Sequence, residues 1–475
     1  MENRPAKTKI LITLGPASNT KKKIKALINK GIDGIRLNFS HGNYDFYRDT
    51  FENIDTACAE EDVSLAILQD LQGPKIRVGE LAEKEIELVP GNKIEIVTDD
   101  ILGTSERIST SYKLLVNDAS SGDKILLNDG LIKLIVTDKK ENSVICEIIE
   151  GGILTARKGM NLPGMKISSP ALTDKDIQDI EFASKYRVDY IALSFVRSAN
   201  DILLLKNFLE KKNISKPVIA KIEKREAIDD FENILAAADG IMVARGDLGV
   251  ELSPQEVPVI QKQIINKCNE AGKLVITATQ MLESMISNPI PTRAEASDVA
   301  NAVWDGTDVV MLSGETSVGN YPVESVKIMN DILMKTENSP VFCRDISFKI
   351  PTSPEENLID AAGKAICAIS KQINSPVIVV FTNSGREVKV LSKYRPDAVI
   401  AALSSHAEVV SNLNLYHGVL PFYLKDFDDE TKAIESANSL ISGKVLAKKG
   451  DTIIYVTGLP QLNGNSHFRM RFETI

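Results

Sequence analysis

The chain has 475 residues, 43% of them hydrophobic and 25% charged, with a formal net charge of −9. That length exceeds one compact core, so two or three domains are expected, and the composition is that of a globular protein. The negative balance argues against a broad nucleic-acid surface or an anionic-membrane surface, yet a small phosphate ligand needs only a local cluster of cations. No run approaches the roughly 18–20 apolar residues needed to cross a bilayer, and residues 1–9 lack the apolar stretch of a secretory leader, so a cytoplasmic location is expected. The five cysteines, Cys58, Cys146, Cys268, Cys343 and Cys367, are scattered and outside CxxC spacing. They read as reduced thiols, neither a disulfide frame nor a zinc site.

Short apolar runs predict strands over 9–14, 34–39, 65–70, 190–195, 218–223, 240–244, 274–279 and 308–312. Amphipathic stretches between them predict helices, among them 21–30, 175–185, 200–211, 226–237, 255–271 and 323–336. Eight strands with crossover helices suggest a (β/α)8 barrel, an α/β fold. One connection is too long. About a hundred residues separate Asp70 from the helix near Asp174, against a usual loop of about 2–6. Within it, alternating runs at 85–89, 93–97, 124–128, 131–136 and 143–149 are punctuated by Gly, Asp and Asn, which predicts a small all-β domain inserted at the mouth of the barrel, placed to act as a lid. After residue 340 the alternation restarts, with helix 355–370 and strands near 377–382, 398–403, 419–424, 452–457 and 469–473. The expected division is residues 1–72 with 169–340 for the barrel, 73–168 for the inserted β-barrel lid, and 341–475 for a C-terminal α/β regulatory domain.

Charge gathers where barrel strands end. Lys221 and Glu223 are two apart, so on a strand they share a face, and Asp247 closes the next apolar run. A Lys-x-Glu pair alone is common on solvated faces. The apolar flanks 218–220 and 241–244 make these strand ends, and buried charge there is suited to a metal and an anionic substrate. Arg36, Asn38 and Ser40 alternate along the exit of the second strand. They read either as a solvent-facing strand end or, with Asp70 opposite, as an ion or phosphate pocket. Thr279 ends the seventh strand, and Ser313 and Glu315 end the eighth. Hydroxyls at such places also cap helices.

The ordered set Arg36-Leu-Asn-Phe-Ser-His-Gly42, Ala220-Lys-Ile-Glu-Lys224, Met242-Val-Ala-Arg-Gly-Asp-Leu-Gly249, Thr279-Gln-Met-Leu-Glu-Ser-Met285 and Met311-Leu-Ser-Gly-Glu-Thr316 resembles the pyruvate kinase family. The resemblance implies transfer of a phosphoryl group from phosphoenolpyruvate to ADP, with Mg2+ or Mn2+ as cofactor. It implies a TIM barrel with an inserted lid, a homotetramer, and no nucleic-acid or membrane partner. Carried over, Lys221 and Arg36 stabilise the transferring phosphoryl, and Glu223 and Asp247 hold the divalent metal. Gly246, Asp247 and Thr279 cradle the substrate carboxylate. Thr279, Ser313 and Glu315 relay a proton to the enolate carbon. Arg77, Lys158, His41 and Asp129 meet the nucleotide.

Two departures carry consequences. Asn38, Ser40 and Asp70 would help hold K+ in potassium-dependent members, but the segment Asp70-Leu-Gln-Gly-Pro-Lys75-Ile-Arg77-Val78 resembles the potassium-independent branch. There Lys75 replaces the ion, so K+ is not expected to be required. The loop Phe381-Thr-Asn-Ser-Gly-Arg386-Glu387-Val388 resembles an effector-phosphate loop, but Glu387 stands where a hydroxyl residue is usual. That disfavours fructose bisphosphate and leaves the effector unnamed. The competing readings are a Mg-dependent barrel lyase or aldolase acting on a 2-oxo acid enolate, and a non-catalytic metabolite sensor on a dead barrel.

Overall fold

The computed structural model describes residues 6–339, 354–425, 430–459 and 467–475. Cys343 and the expected domain boundary at 340–341 lie outside them. Eight parallel strands close a barrel: Lys9–Thr13, Gly34–Asn38, Ala66–Asp70, Tyr190–Leu193, Val218–Ile222, Gly240–Ala244, Leu274–Ala278 and Val309–Leu312, with the first paired to the eighth. They are numbered one to eight below. The apolar runs belong to strands buried on both sides. Ile35 and Leu37 join the layer between strands and helices. Alternation therefore turns Arg36 and Asn38 toward the barrel interior.

The bounds fall close to those expected, with one break. The stretch read as one helix over 226–237 is two, Arg225–Asp229 and Phe231–Ala237. Asp230 sits between them in a non-helical conformation, and its carboxylate accepts the backbone N–H of Ala199 at 2.8 Å. A long-range hydrogen bond has overridden local periodicity.

Between strands three and four the chain builds a six-stranded sheet and a two-stranded sheet. The larger runs in the order Met160–Asn161, Lys124–Leu127, Ile132–Lys139, Ser143–Glu150, Lys93–Val97, Arg107–Ser109. Gly152–Thr155 pairs with Glu85–Leu88 in the smaller. These strands enclose their own apolar core, centred on Ile94, Ile96, Leu127 and Leu134. The short strands Arg107–Ser109, Gly152–Thr155 and Met160–Asn161 had too little pattern to be anticipated.

The C-terminal sheet orders Val419–Tyr423, Val399–Ser404, Val377–Phe381, Thr452–Leu459 and His467–Thr474, the last antiparallel. Its core continues into the barrel floor. Leu11, Tyr190, Ile219 and Leu274 cluster with Leu391, Leu413 and Leu415. Polar bonds fix the same seam: Tyr190 Oη to the Asn412 carbonyl at 2.6 Å, Ser411 Oγ to Asp189 at 2.7 Å, and Arg395 to Asp308 at 2.6 Å. The opposite end of the barrel, where strands finish, is thereby left to the inserted sheets. Cys58, Cys146, Cys268 and Cys367 are buried and free. Among the described residues no helix is long and apolar enough to cross a membrane.

Candidate active site

The mouth of the barrel is organised around a chain of charges. Asp70, at the end of strand three, is fully buried. Its Oδ2 accepts from Arg36 Nε at 2.6 Å, and its Oδ1 lies 3.2 Å from Lys221 Nζ. Arg36 also donates to Thr13 Oγ1 at 3.0 Å. Lys221 Nζ reaches Glu223 at 2.9 Å and donates to Ser194 Oγ at 2.6 Å. Glu223 in turn accepts the backbone N–H of Phe195 at 2.6 Å. The same-face expectation for Lys221 and Glu223 thus corresponds to a direct ion pair.

Burial alone would raise the Asp70 pKa, but Lys221 and Arg36 outweigh it and hold the carboxyl below its usual range. Burial pulls Lys221 down, yet Asp70 and Glu223 prevail, and its ammonium is held above the usual lysine range. Glu223 moves up, because desolvation and the charge of Asp247 together exceed the pull of Lys221. Two carboxylates repelling one another in a dry site are what a divalent cation would relieve. Their hard oxygens suit Mg2+ or Mn2+, which leaves its remaining positions to water or substrate oxygens.

Asp247 does not close a strand. Strand six stops at Ala244, and Asp247 lies in the first turn of the helix Arg245–Glu251. Arg245 anchors that turn. Buried, it grips Asp298 with bonds of 2.7 and 2.8 Å and donates to the Thr279 carbonyl at 2.7 Å. Thr279 is held at φ +67°, a left-handed conformation that strains a β-branched residue by about 1–3 kcal/mol. The strain presents its hydroxyl, which accepts the Gly246 N–H at 2.7 Å. Glu315 is buried and accepts N–H groups from Leu282 at 3.0 Å and Ser313 at 2.7 Å, with its pKa pushed up by desolvation. The Ser313 hydroxyl is buried without a hydrogen-bond partner.

The remaining residues flank this centre. Asn38 Oδ1 accepts the Ser40 N–H at 3.2 Å. Lys75 is half-buried and has no ion pair among the described residues. Burial depresses the His41 pKa, and the charges of Arg77, Lys75, Arg36 and Lys175 add to that. Arg77 donates to the Arg157 carbonyl at 3.1 Å, and Lys158 offers its carbonyl to the Val78 N–H at 2.9 Å. Lys75 and Asp129 share a cleft with Lys224 and Asp247, where the inserted sheets meet the barrel. Among the described residues Lys158 does not line that cleft. In the C-terminal loop, Glu387 accepts from Thr382 Oγ1 at 2.9 Å, which places the carboxylate within the loop itself.

Ser194, Phe195 and Arg245 carry part of the site without having been singled out. Ser194 is a small neutral residue at an apolar strand end, and only its proximity to Lys221 reveals it. Arg245→Met is expected to lower stability to chemical denaturation by about 1.5–3 kcal/mol, the usual worth of hydrogen bonds to a charged group. Unchanged stability would show that Asp298 and the Thr279 carbonyl are held by other means.

The family description "Pyruvate kinase, barrel domain" matches residues 5–326, and "Pyruvate kinase, alpha/beta domain" matches 360–467. The chain is 44% identical over 460 residues to a pyruvate kinase of Geobacillus stearothermophilus, covering 96% of this chain and 78% of that one. A pyruvate kinase of Staphylococcus aureus (strain MRSA252) is 43% identical over the same shares. The crystal structure of a pyruvate kinase from Cryptosporidium parvum superposes with a TM-score of 0.91 at 37% identity, over 99% of this chain and 96% of the other. A parallel eight-stranded barrel with an α/β domain docked under its floor, matched along nearly its whole length by these relatives, belongs to the pyruvate kinase family.

Proposed function

We propose that Lys221 and Arg36 are the groups that stabilise the phosphoryl moving from phosphoenolpyruvate to ADP, the reaction of the family, which yields pyruvate and ATP. The observation that carries this reading is the buried network in which one ammonium and one guanidinium converge on Asp70 at the strand ends. In the transfer, the bond from phosphorus to the enol oxygen breaks and one to a β-phosphate oxygen of ADP forms. Negative charge grows on the enolate oxygen, and fixed cations in a water-poor site stabilise it with little reorganisation. Gly246, Asp247 and Thr279 would hold the substrate carboxylate at the helix N-terminal turn. Thr279, Ser313 and Glu315 would pass a proton to the enolate carbon, and the unpartnered Ser313 hydroxyl supports that role. His41, Arg77, Asp129 and Lys158 would meet the nucleotide as the inserted lid closes. A homotetramer is the assembly the resemblance implies. Family membership sets aside the lyase or aldolase reading.

Glu223 and Asp247 would hold the divalent ion. When bound, it supplies positive charge to the oxygens of the transferring group. Lys75 would replace K+. Asn38 Oδ1 already accepts an N–H, and both Asp70 oxygens face protein cations, so few acceptors remain for a bare monovalent ion. Glu387 would repel a bisphosphate at the C-terminal loop, so fructose bisphosphate is not expected to activate.

Lys221→Met should lower kcat by about 100- to 1,000-fold while Mn2+ binding persists. A coupled assay with phosphoenolpyruvate and ADP measures it, and near-normal turnover would remove Lys221 from the chemistry.

Divalent binding should weaken as pH falls, because protons compete for Glu223 at a pKa above the ordinary glutamate value. The sign follows from protonation removing the ligand charge. In Glu223→Gln, Mn2+ affinity should fall and its pH dependence flatten. Superimposable Mn2+ titrations of variant and wild type by electron paramagnetic resonance would place the metal elsewhere.

In tetramethylammonium salts free of K+, NH4+ and Na+, the enzyme should turn over at full rate. Lys75→Glu should lose most activity and regain part of it with K+. Strong stimulation of the wild type by K+ would return the pocket to the potassium-dependent reading.

A further inference from the structure

The inserted sheets join the barrel by two connections, one leaving strand three at Asp70 and one returning to the helix Asp174–Ala183. Both run past the turn that follows strand four, Ser194–Arg197. On the outgoing side, Ser194 Oγ donates to the Leu71 carbonyl at 2.7 Å. Gly73 lies so close to the turn that a Cβ there would stand 3.1 Å from Ser194 and Phe195, and its φ of +63° disfavours a side chain in any case. The buried Asp176 accepts the Gly73 N–H at 3.1 Å and the Thr173 N–H at 2.9 Å, so it ties the two connections together.

The returning side is gripped from two directions at residues 167–169. Ser168 belongs to the inserted domain, since its N–H and hydroxyl donate to Asp118 at 2.8 and 2.7 Å. Its neighbours belong to the barrel. Arg197 donates through Nη1 to the Ile167 carbonyl at 2.5 Å and through Nη2 to the Ser169 carbonyl at 2.8 Å. The Arg197 N–H donates to Asp201 at 2.9 Å, in the first turn of the helix Ala199–Lys211, which fixes the root of the side chain. A planar guanidinium can span the carbonyls on either side of one residue, whereas a lysine ammonium lacks that fork.

The same turn holds charged groups of the site. Ser194 accepts from Lys221, and the Phe195 N–H donates to Glu223. Phe195 sits at φ +55°, an unfavourable conformation for a bulky residue, which persists only where the surroundings enforce it. Ser194 just before it is pinned to the outgoing connection, and Arg197 just beyond it is pinned to the returning one.

We propose that Arg197 is a positioning residue. It seats the returning connection of the inserted domain on the turn after strand four, and through that turn it sets the placement of Lys221 for phosphoryl transfer. The coupling to transfer rests on the role read for Lys221 above, whereas the seating does not.

Hydrogen–deuterium exchange on the full chain tests the seating. Arg197→Met should speed exchange of residues 165–173 at least about tenfold while the barrel strands keep their protection. Arg197→Lys, which keeps a cation near Asp201, should give a smaller change of the same sign and serves if Arg197→Met fails to fold. Steady-state assays test the coupling. In Arg197→Met, kcat/KM for phosphoenolpyruvate should fall at least about tenfold, and Arg197→Lys should recover part of the loss because an ammonium reaches one carbonyl. In the Lys221→Met background, Arg197→Met should cost less than about twofold, since the group it places is gone. Arg107→Met removes an exposed arginine of the inserted domain paired with Glu95, and it should leave exchange and kcat/KM within about twofold. Unchanged exchange of residues 165–173, or an equal increase through Arg107→Met, would overturn the seating. An unchanged kcat/KM, or equal losses with and without Lys221, would overturn the coupling. Near-normal turnover in Lys221→Met alone would overturn the role read for Lys221, and the coupling with it, while leaving the seating to the exchange result.

Discussion

Asp70 is the residue on which the mouth of the barrel depends. A fully buried carboxylate is tolerated only where it is paired and hydrogen-bonded, and here Arg36 and Lys221 take one oxygen each. Through those two contacts the chain of bonds runs from Thr13 to Arg36, Asp70, Lys221 and Glu223, and ends on the Phe195 N–H. It crosses the ends of strands one, two, three and five and the turn after strand four. The same charges that could handle a phosphate therefore also hold the strand ends in register. Neither cation is free to swing away, because leaving would strand a buried carboxylate.

The other side of the mouth is fixed by different means. After strands six, seven and eight the chain turns sharply, and backbone groups do most of the holding. Arg245 gathers Asp298 and the Thr279 carbonyl, Thr279 takes the Gly246 N–H, and Glu315 spans the N–H groups of Leu282 and Ser313. Such a half presents hydroxyls and amides where the first half presents charge. A substrate with a phosphate at one end and a carboxylate at the other matches that asymmetry, since the phosphate needs full cations while the carboxylate is satisfied by N–H donors at a helix start.

Much of this could be read from the residues alone, and the failures have physical causes. Strand ends were legible because apolar β-branched runs stop abruptly at charge, and side-chain alternation placed Lys221 with Glu223 and Arg36 with Asn38. Ser194 was illegible, since a serine ending an apolar strand looks the same whether or not it accepts from a lysine 27 positions later. Asp247 was read as closing an apolar run, whereas the helix had already begun at Arg245. The break at Asp230 depends on Ala199, about thirty residues upstream, which no local window contains. The family resemblance supplied expected roles that spacing could not, notably for Lys75 and for the residues proposed to meet a nucleotide.

The barrel joins two environments that share strands but not chemistry. At its mouth the strands end in charge and strained turns. At its floor Tyr190, Ile219 and Leu274 pack into one apolar cluster with Leu391, Leu413 and Leu415 of the C-terminal domain. Close-packed apolar contacts resist compression, so the seam joins the two domains through one continuous packed layer. The strands are short and hydrogen-bonded on both sides, which leaves unfavourable backbone conformations such as that of Thr279 to the turns beyond their ends.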